Sequence, residues 1–219
     1  MHSTRFNAFN QIHKALRTLM FDTILRLQHS HFADPESSRP AIGQVELLLG
    51  MMDGHAHHED NFILHAAEKH APDLIHEFES EHAIDLSLSN QLREKIAAYW
   101  LAEDKSSAGK EIYYALNAFV AFNLEHMNKE EQVLNPVLWS HYTDAELLGI
   151  VRAIQQSIPP EELNIGLEWM IKALGDSELL PWLRSVKQEA PAFVFDNLLA
   201  AAEKHLPSSR WSVVKEQLN

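Results

Sequence analysis

His55-Ala56-His57-His58-Glu59-Asp60 and His126-Met127-Asn128-Lys129-Glu130-Glu131 are the two stretches whose reading decides the fold. Each sets a histidine four residues before a glutamate, which puts both side chains on one face of an α-helix about one turn apart. Both pairs sit inside apolar stripes of helical period. The first stripe runs Val45, Leu48, Met52, His55, Glu59, Phe62, and the second Ile112, Leu116, Phe119, Asn123, His126, Glu130, Val133, Val137. Carboxylates buried in such stripes cost several kcal/mol per charge unless a partner compensates them. Each pair could grip one metal ion or two adjacent ones. Two pairs therefore point to a carboxylate-bridged metal site inside a helical bundle.

Two further long helices surround these stretches. A first runs from about Thr4 to about His31, with Phe6, Phe9, His13, Leu16, Met20 and Leu27 on one stripe. The loop Asp34-Pro35-Glu36-Ser37-Ser38-Arg39-Pro40 ends it, and the helix holding the first motif follows from about Pro40 to His70. Pro72 opens a third helix, to about Glu103, which turns Ile75, Phe78 and His82 inward. After Asp104-Lys105-Ser106-Ser107 the helix holding the second motif runs to near Tyr142. Long helices on short links predict an all-α, antiparallel up-down four-helix bundle over residues 1–142. Residues 143–219 open on the capping box Thr143-Asp144-Ala145-Glu146 and are punctuated by Pro159-Pro160, Gly175-Asp176 and Pro191. This extension is expected to hold three or four shorter helices. Its tryptophans Trp169, Trp182 and Trp211 need burial, against the bundle or at a homodimer interface.

In antiparallel neighbours, residues equally far from their shared loop lie at one height. His13 sits roughly 18 residues before the end of the first helix, and His55 and Glu59 roughly 15 and 19 after the start of the second. Glu59 is about 11 residues before the end of its helix and His82 about 10 into the next. His82 is about 21 residues before the end of the third helix, while His126 and Glu130 are about 19 and 23 into the fourth. All six candidate ligands, His13, His55, Glu59, His82, His126 and Glu130, converge on one layer. Imidazole with carboxylate suits iron, zinc or manganese. The chain has no cysteine, so thiolate ligands and copper(I) are disfavoured.

These residues resemble those of the hemerythrin-like, or HHE cation-binding, domain family. The resemblance spans about residues 8 to 142 and is carried by Ile12-His13-Lys14-Ala15-Leu16-Arg17, the His55 to Glu59 pair with Asp60, Glu81-His82, and His126 to Glu131 with Pro136 beyond. It implies a non-haem centre of two iron ions, bridged by Glu59 and Glu130 and by an exogenous oxo or hydroxo group. His13, His55, His82 and His126 are then terminal ligands, with O2, nitric oxide or peroxide as the small-molecule partner. Two departures stand out. Oxygen-carrying hemerythrins have a fifth histidine one turn from the third-helix ligand, and here the flanking positions are Phe78 and Leu86. That leaves an open coordination position or an oxygen ligand such as Asp85. A proline is expected six residues after Glu59, and this chain has His65.

A formal charge of −13 repels nucleic acid and anionic lipid, so neither is an expected partner. Met1 to Phe6 has no unbroken apolar core of a signal peptide and no apolar run spans a bilayer, so a soluble, cytoplasmic protein is expected. Three functions are open: a di-iron protein binding O2, nitric oxide or peroxide for sensing or storage, an enzyme reducing peroxide or activating O2, or a bundle stapled by its metal. A ligand set short of one histidine fits a sensor better than a stable carrier.

Overall fold

The protein, described here over residues 5–218 by a computed structural model, is all-helical, with no strand among those residues. The first helix, α1, spans Asn10–Gln28. Its expected start near Thr4 falls outside the described residues, as does the extension's last residue, Asn219. The helix opens late because the Asn7 side chain accepts hydrogen bonds from the backbone N–H groups of Phe9 and Asn10, at 2.9 and 3.1 Å.

Helix α2, Pro35–His58, begins earlier than the sequence predicts. Asp34 caps it by accepting from the Glu36 N–H, and Pro35 occupies its first turn, where a missing N–H is harmless. The expected loop through Pro40 is therefore helix. After α2 comes a π-helical turn, Glu59–Leu64, and then α3, His65–Glu68. Helix α4 spans Pro72–Leu101 and α5 spans Lys105–Lys129, capped by Asp104. A second π-helical turn, Glu130–Leu134, leads into α6, Asn135–His141.

Both motif-bearing helices thus widen, each at its motif glutamate. A π turn holds an extra residue, so the buried stripe beyond it slips by one position. Ile63 and Leu64 are buried where Phe62 was expected, and Leu134 and Leu138 replace Val133 and Val137, with Val133 exposed. The stripes before the glutamates follow the expected pattern.

Helices α4 and α5 run antiparallel. Lys95 pairs with Glu111 near the link, Asp85 with Asn123 further on, and His82 with His126 beyond that. Helix α2 runs antiparallel to α4 in the same way, through Asp53 with Arg93 and Asp60 with His82. Near the α4–α5 link the Phe32 ring covers Gly109, whose missing Cβ would stand 2.1 Å from Phe32 Cγ. The Tyr99 hydroxyl donates to the Phe32 carbonyl at 2.9 Å and meets Ser38 Oγ at 2.6 Å, which holds this turn in place. Gly109→Ala is expected to destabilise the chain by about 1–2 kcal/mol, overpacking outweighing the gain in helix propensity. Denaturant unfolding checks this. An unchanged midpoint would mean that Phe32 moves aside freely.

Among the described residues the extension holds five helices rather than three or four: α7 Asp144–Ser157, α8 Pro160–Ala173, α9 Asp176–Glu189, α10 Ala192–His205 and α11 Ser208–Leu218. The capping box at Thr143 forms as expected, with Glu146 accepting from the Thr143 N–H at 2.8 Å. A further break at Leu206-Pro207, two residues long, adds the last helix. The chain divides into two compact units: the residues up to Asn10 with Leu19–Ser157, and Gln11–Thr18 with the residues from Ile158 on. Helix α7 groups with the first unit. In that unit Phe9, Ile63, Ile75, Phe78, Leu134 and Leu147 share one core. In the second, Ile171, Leu179, Leu183, Leu198 and Val214 share another, and Lys14 pairs with Glu178 at 2.5 Å. Among the described residues no helix is long and apolar enough to cross a membrane.

Candidate metal centre

Glu59 and Glu130 are the first residues of the two π turns, and both are buried, at 3% and 0% exposure. One turn before them, at the ends of α2 and α5, stand His55 and His126. The histidine-to-glutamate step carries each imidazole onto its own glutamate: His55 Nε2 is 3.1 Å from Glu59 Oε1, and His126 Nε2 is 3.3 Å from Glu130 Oε1. From α4, His82 presents Nε2 to the other oxygen of Glu59, Oε2, at 3.5 Å, and to His126 Nε2 at 3.1 Å. His13 is fully buried on α1, in the stretch Gln11–Thr18 that belongs to the second unit.

The donor atoms form two sets. Those of Glu59, His82, His126 and Glu130 lie within 4.8 Å of one another, and within the same unit so do those of His55, Glu59 and Glu130. Both glutamates belong to both sets. Five of the six residues singled out in the sequence, His55, Glu59, His82, His126 and Glu130, lie close together within the first unit, and His13 belongs to the second. Adjacent donors on an ion at ligand distances of about 2.0–2.2 Å stand roughly 2.8–3.6 Å apart. The separations of 3.1, 3.3 and 3.5 Å fall in that window. Nitrogen and oxygen donors in this number suit a hard or borderline divalent cation.

Residues 4–138 match the family described as the hemerythrin HHE cation binding domain. The chain belongs to that family. The HHE domain binds metal cations, and here its histidines and glutamates form a cluster able to hold them. Among curated proteins, the chain is similar to one named zinc finger protein BRUTUS-like, from Arabidopsis thaliana, with 25% identity over 193 residues. The match covers 84% of this chain and 15% of that protein, so the chain spans only a small part of its relative. No solved structure matches.

Beside the candidate ligands lie groups with other roles. Asp85 accepts a hydrogen bond from Asn123 Nδ2 at 2.6 Å, and among the described residues it joins neither donor set. Phe78 is core and Leu86 is exposed, so neither neighbour of His82 stands in for a fifth histidine. His65 is exposed and leaves the first π turn intact, so that turn forms without the expected proline. The Phe78 ring meets His126 edge-on and the Phe122 ring stacks on it, with centroids 5.7 and 6.1 Å away. Sequence reading passed over Asp60 and Glu81 except as motif letters, yet they bond His82 and His126 at 2.6 and 2.7 Å. Nothing local to either stretch announces a partner on another helix.

Burial alone would lower the pKa of His82, but hydrogen bonds and charge from Asp60 and Glu59 outweigh it and push the metal-free value up to about 10. His126 is raised in the same way: burial works against it, and Glu130, Glu59 and Glu81 prevail. In the metal-free chain, His82 stabilisation is complete below its ordinary 6.5 and is lost as pH rises towards about 10. A cation must displace these protons. Its apparent affinity is therefore expected to fall with falling pH, by up to about a hundredfold per unit if two protons leave. Zinc titrations at several pH values, with released protons counted, check this. A pH-independent affinity would mean that the imidazoles are not ligands.

Proposed function

We propose that the chain is a non-haem di-iron protein that takes O2, nitric oxide or peroxide for sensing or storage. The observation that carries this reading is the position of Glu59, whose two oxygens face two different imidazoles, His55 and His82. A carboxylate shared in that way serves two ions better than one. His13 and His55 would hold one ion, His82 and His126 the other, with Glu59 and Glu130 common to both. In the same reading α1, α2, α4 and α5 form an up-down four-helix bundle around the ligand layer.

Iron bound there would supply a redox-active centre that accepts a small oxygen or nitrogen ligand. The protein's own part is to orient four imidazoles, neutralise the charge with two carboxylates, and keep water away with Phe9, Phe78 and Phe119, all buried. A net charge of −13 supports a small ligand rather than nucleic acid or an anionic membrane as partner. Metal analysis of protein purified without a metal-affinity tag, with visible spectra before and after O2, tests the reading. About two irons per chain and a spectrum that changes with O2 are expected. One zinc, or no metal in a folded chain, would overturn it, and steady-state peroxide consumption would move it from binding protein to enzyme.

A further inference from the structure

The imidazoles of His82 and His126 are held on both nitrogens. His82 donates through Nδ1 to Asp60 Oδ1 at 2.6 Å, and His126 through Nδ1 to Glu81 Oε2 at 2.7 Å. A carboxylate only accepts, so Nδ1 carries a proton in each ring, and Nε2 is the nitrogen left to take a cation once it gives up its own proton. The rings are buried, at 8% and 4% exposure, while Asp60 at 46% and Glu81 at 21% reach towards solvent.

The connectivity of these outer groups is interlocked. Asp60 follows Glu59 in the first π turn but holds the ring of α4. Glu81 precedes His82 on α4 but holds the ring of α5. Lys129 precedes Glu130 and donates to Glu81 and to Glu77, the latter at 2.7 Å. Each outer group is therefore a chain neighbour of one candidate ligand and the clamp of a partner on a neighbouring helix. A rotation of any one helix would shift a ligand and loosen a clamp together.

We propose that Asp60 and Glu81 are positioning residues of the metal centre, fixing His82 and His126 in the Nδ1-protonated form with Nε2 presented to the cation, while Lys129 holds Glu81. This rests on the metal-binding reading of the site, but it assigns work to residues outside the donor sets. Carboxylate partners of metal-bound imidazoles fix ring orientation and make the ligand more basic. Their loss weakens metal binding without removing a ligand. An amide at the same place still accepts from Nδ1 but lacks the charge, so Asp60→Asn keeps the orientation and gives up only the added basicity.

The test is titration of the full chain with iron(II) and cobalt(II) against a calibrated chelator, on the parent, Asp60→Ala, Asp60→Asn, Glu81→Ala and His82→Ala. Circular dichroism and melting of each metal-free variant are followed alongside. The alanine variants at Asp60 and Glu81 are expected to bind as many ions as the parent, with affinity lower by roughly ten- to a hundredfold and shifted cobalt absorption bands. Asp60→Asn should recover most of that loss, and His82→Ala should lose stoichiometry. Should Asp60→Ala fail to fold without metal, Asp60→Asn and Glu81→Ala decide the matter by the same readouts. Parent-like affinity and an unchanged cobalt spectrum in these variants would overturn the inference and leave the metal site standing. A parent chain that binds neither metal would overturn the site reading, and the inference with it.

Discussion

In the proposed two-ion centre, alanine at Glu59 is expected to remove both ions at once, whereas alanine at His82 disturbs one. Glu59 Oε1 lies 3.1 Å from His55 and Oε2 3.5 Å from His82, so one side chain faces both halves of the centre. Deleting it takes an oxygen from each donor set and leaves one carboxylate, Glu130, between two dications. The loss of affinity should exceed the roughly hundredfold that an outer partner is worth at most. Glu59→Gln separates charge from volume: it fills the same space, keeps the helix, and should lose the metal nearly as completely. The metal-free variants carry a second signature. Glu59 is one of the two carboxylates that hold the proton on His82, so the pKa of His82 should drop back towards its ordinary range. Metal counts after dialysis, with the His82 titration followed by NMR, measure both effects. Two ions retained by Glu59→Ala at near-parent affinity would put the shared ligand elsewhere.

What the sequence disclosed follows the helical period and stops where that period changes. Leu48, Met52, Leu116 and Phe119 are buried as their spacing predicts, and the buried His13, Glu59, His82, His126 and Glu130 were legible as polar residues in apolar stripes. Beyond each glutamate the reading slips by one residue, because a 3.6-residue period cannot express the extra residue of a π turn. The second turn left a trace in Pro136, which lacks the N–H that a regular helix would use. The first left none, since His65 occupies the matching place. Helix starts moved for a different reason. Asn7 and Asp34 cap through short side chains whose partners are set by local backbone geometry, and the loop-like Asp34-Pro35 is itself a start signal. Asp60 and Glu81 were unreadable because their role lies in pairing between helices, which no single stretch displays.

Deleting Asn61 is expected to stabilise the metal-free fold while it impairs metal binding. The turn Glu59–Leu64 inserts a residue into what is otherwise one helix from α2 through α3. Removing an exposed residue from it lets the regular pattern close, with Val45, Leu48 and Met52 before the turn and Ile63, Leu64 and Ala67 after it still facing the core. Restoring the regular hydrogen bonds that the widened turn gives up is worth about 0.5–1.5 kcal/mol each. It is partly offset by the lost hydrogen bond from Asn61 Nδ2 to the His57 carbonyl, 2.6 Å long, worth about 1 kcal/mol. Deleting Glu46, an equally exposed residue in the regular part of α2, gives the contrast. There the deletion rotates one flank by about 100° against the other, turns a buried stripe to solvent, and should cost well over about 3 kcal/mol. Metal binding should respond the opposite way to the regularised turn, because Glu59 and Asp60 lie within it and a ligand set tolerates displacements of only about 0.5 Å. Thermal melts of the two metal-free deletions, beside iron(II) affinity of the Asn61 deletion, decide the question. If losing Asn61 destabilises the chain as severely as losing Glu46, the widened turn is not an insertion in a continuous helix. If the shortened chain gains stability and binds iron as the parent does, the turn has no part in placing Glu59. Higher stability with weaker binding would mean that the widened turn is kept for the metal.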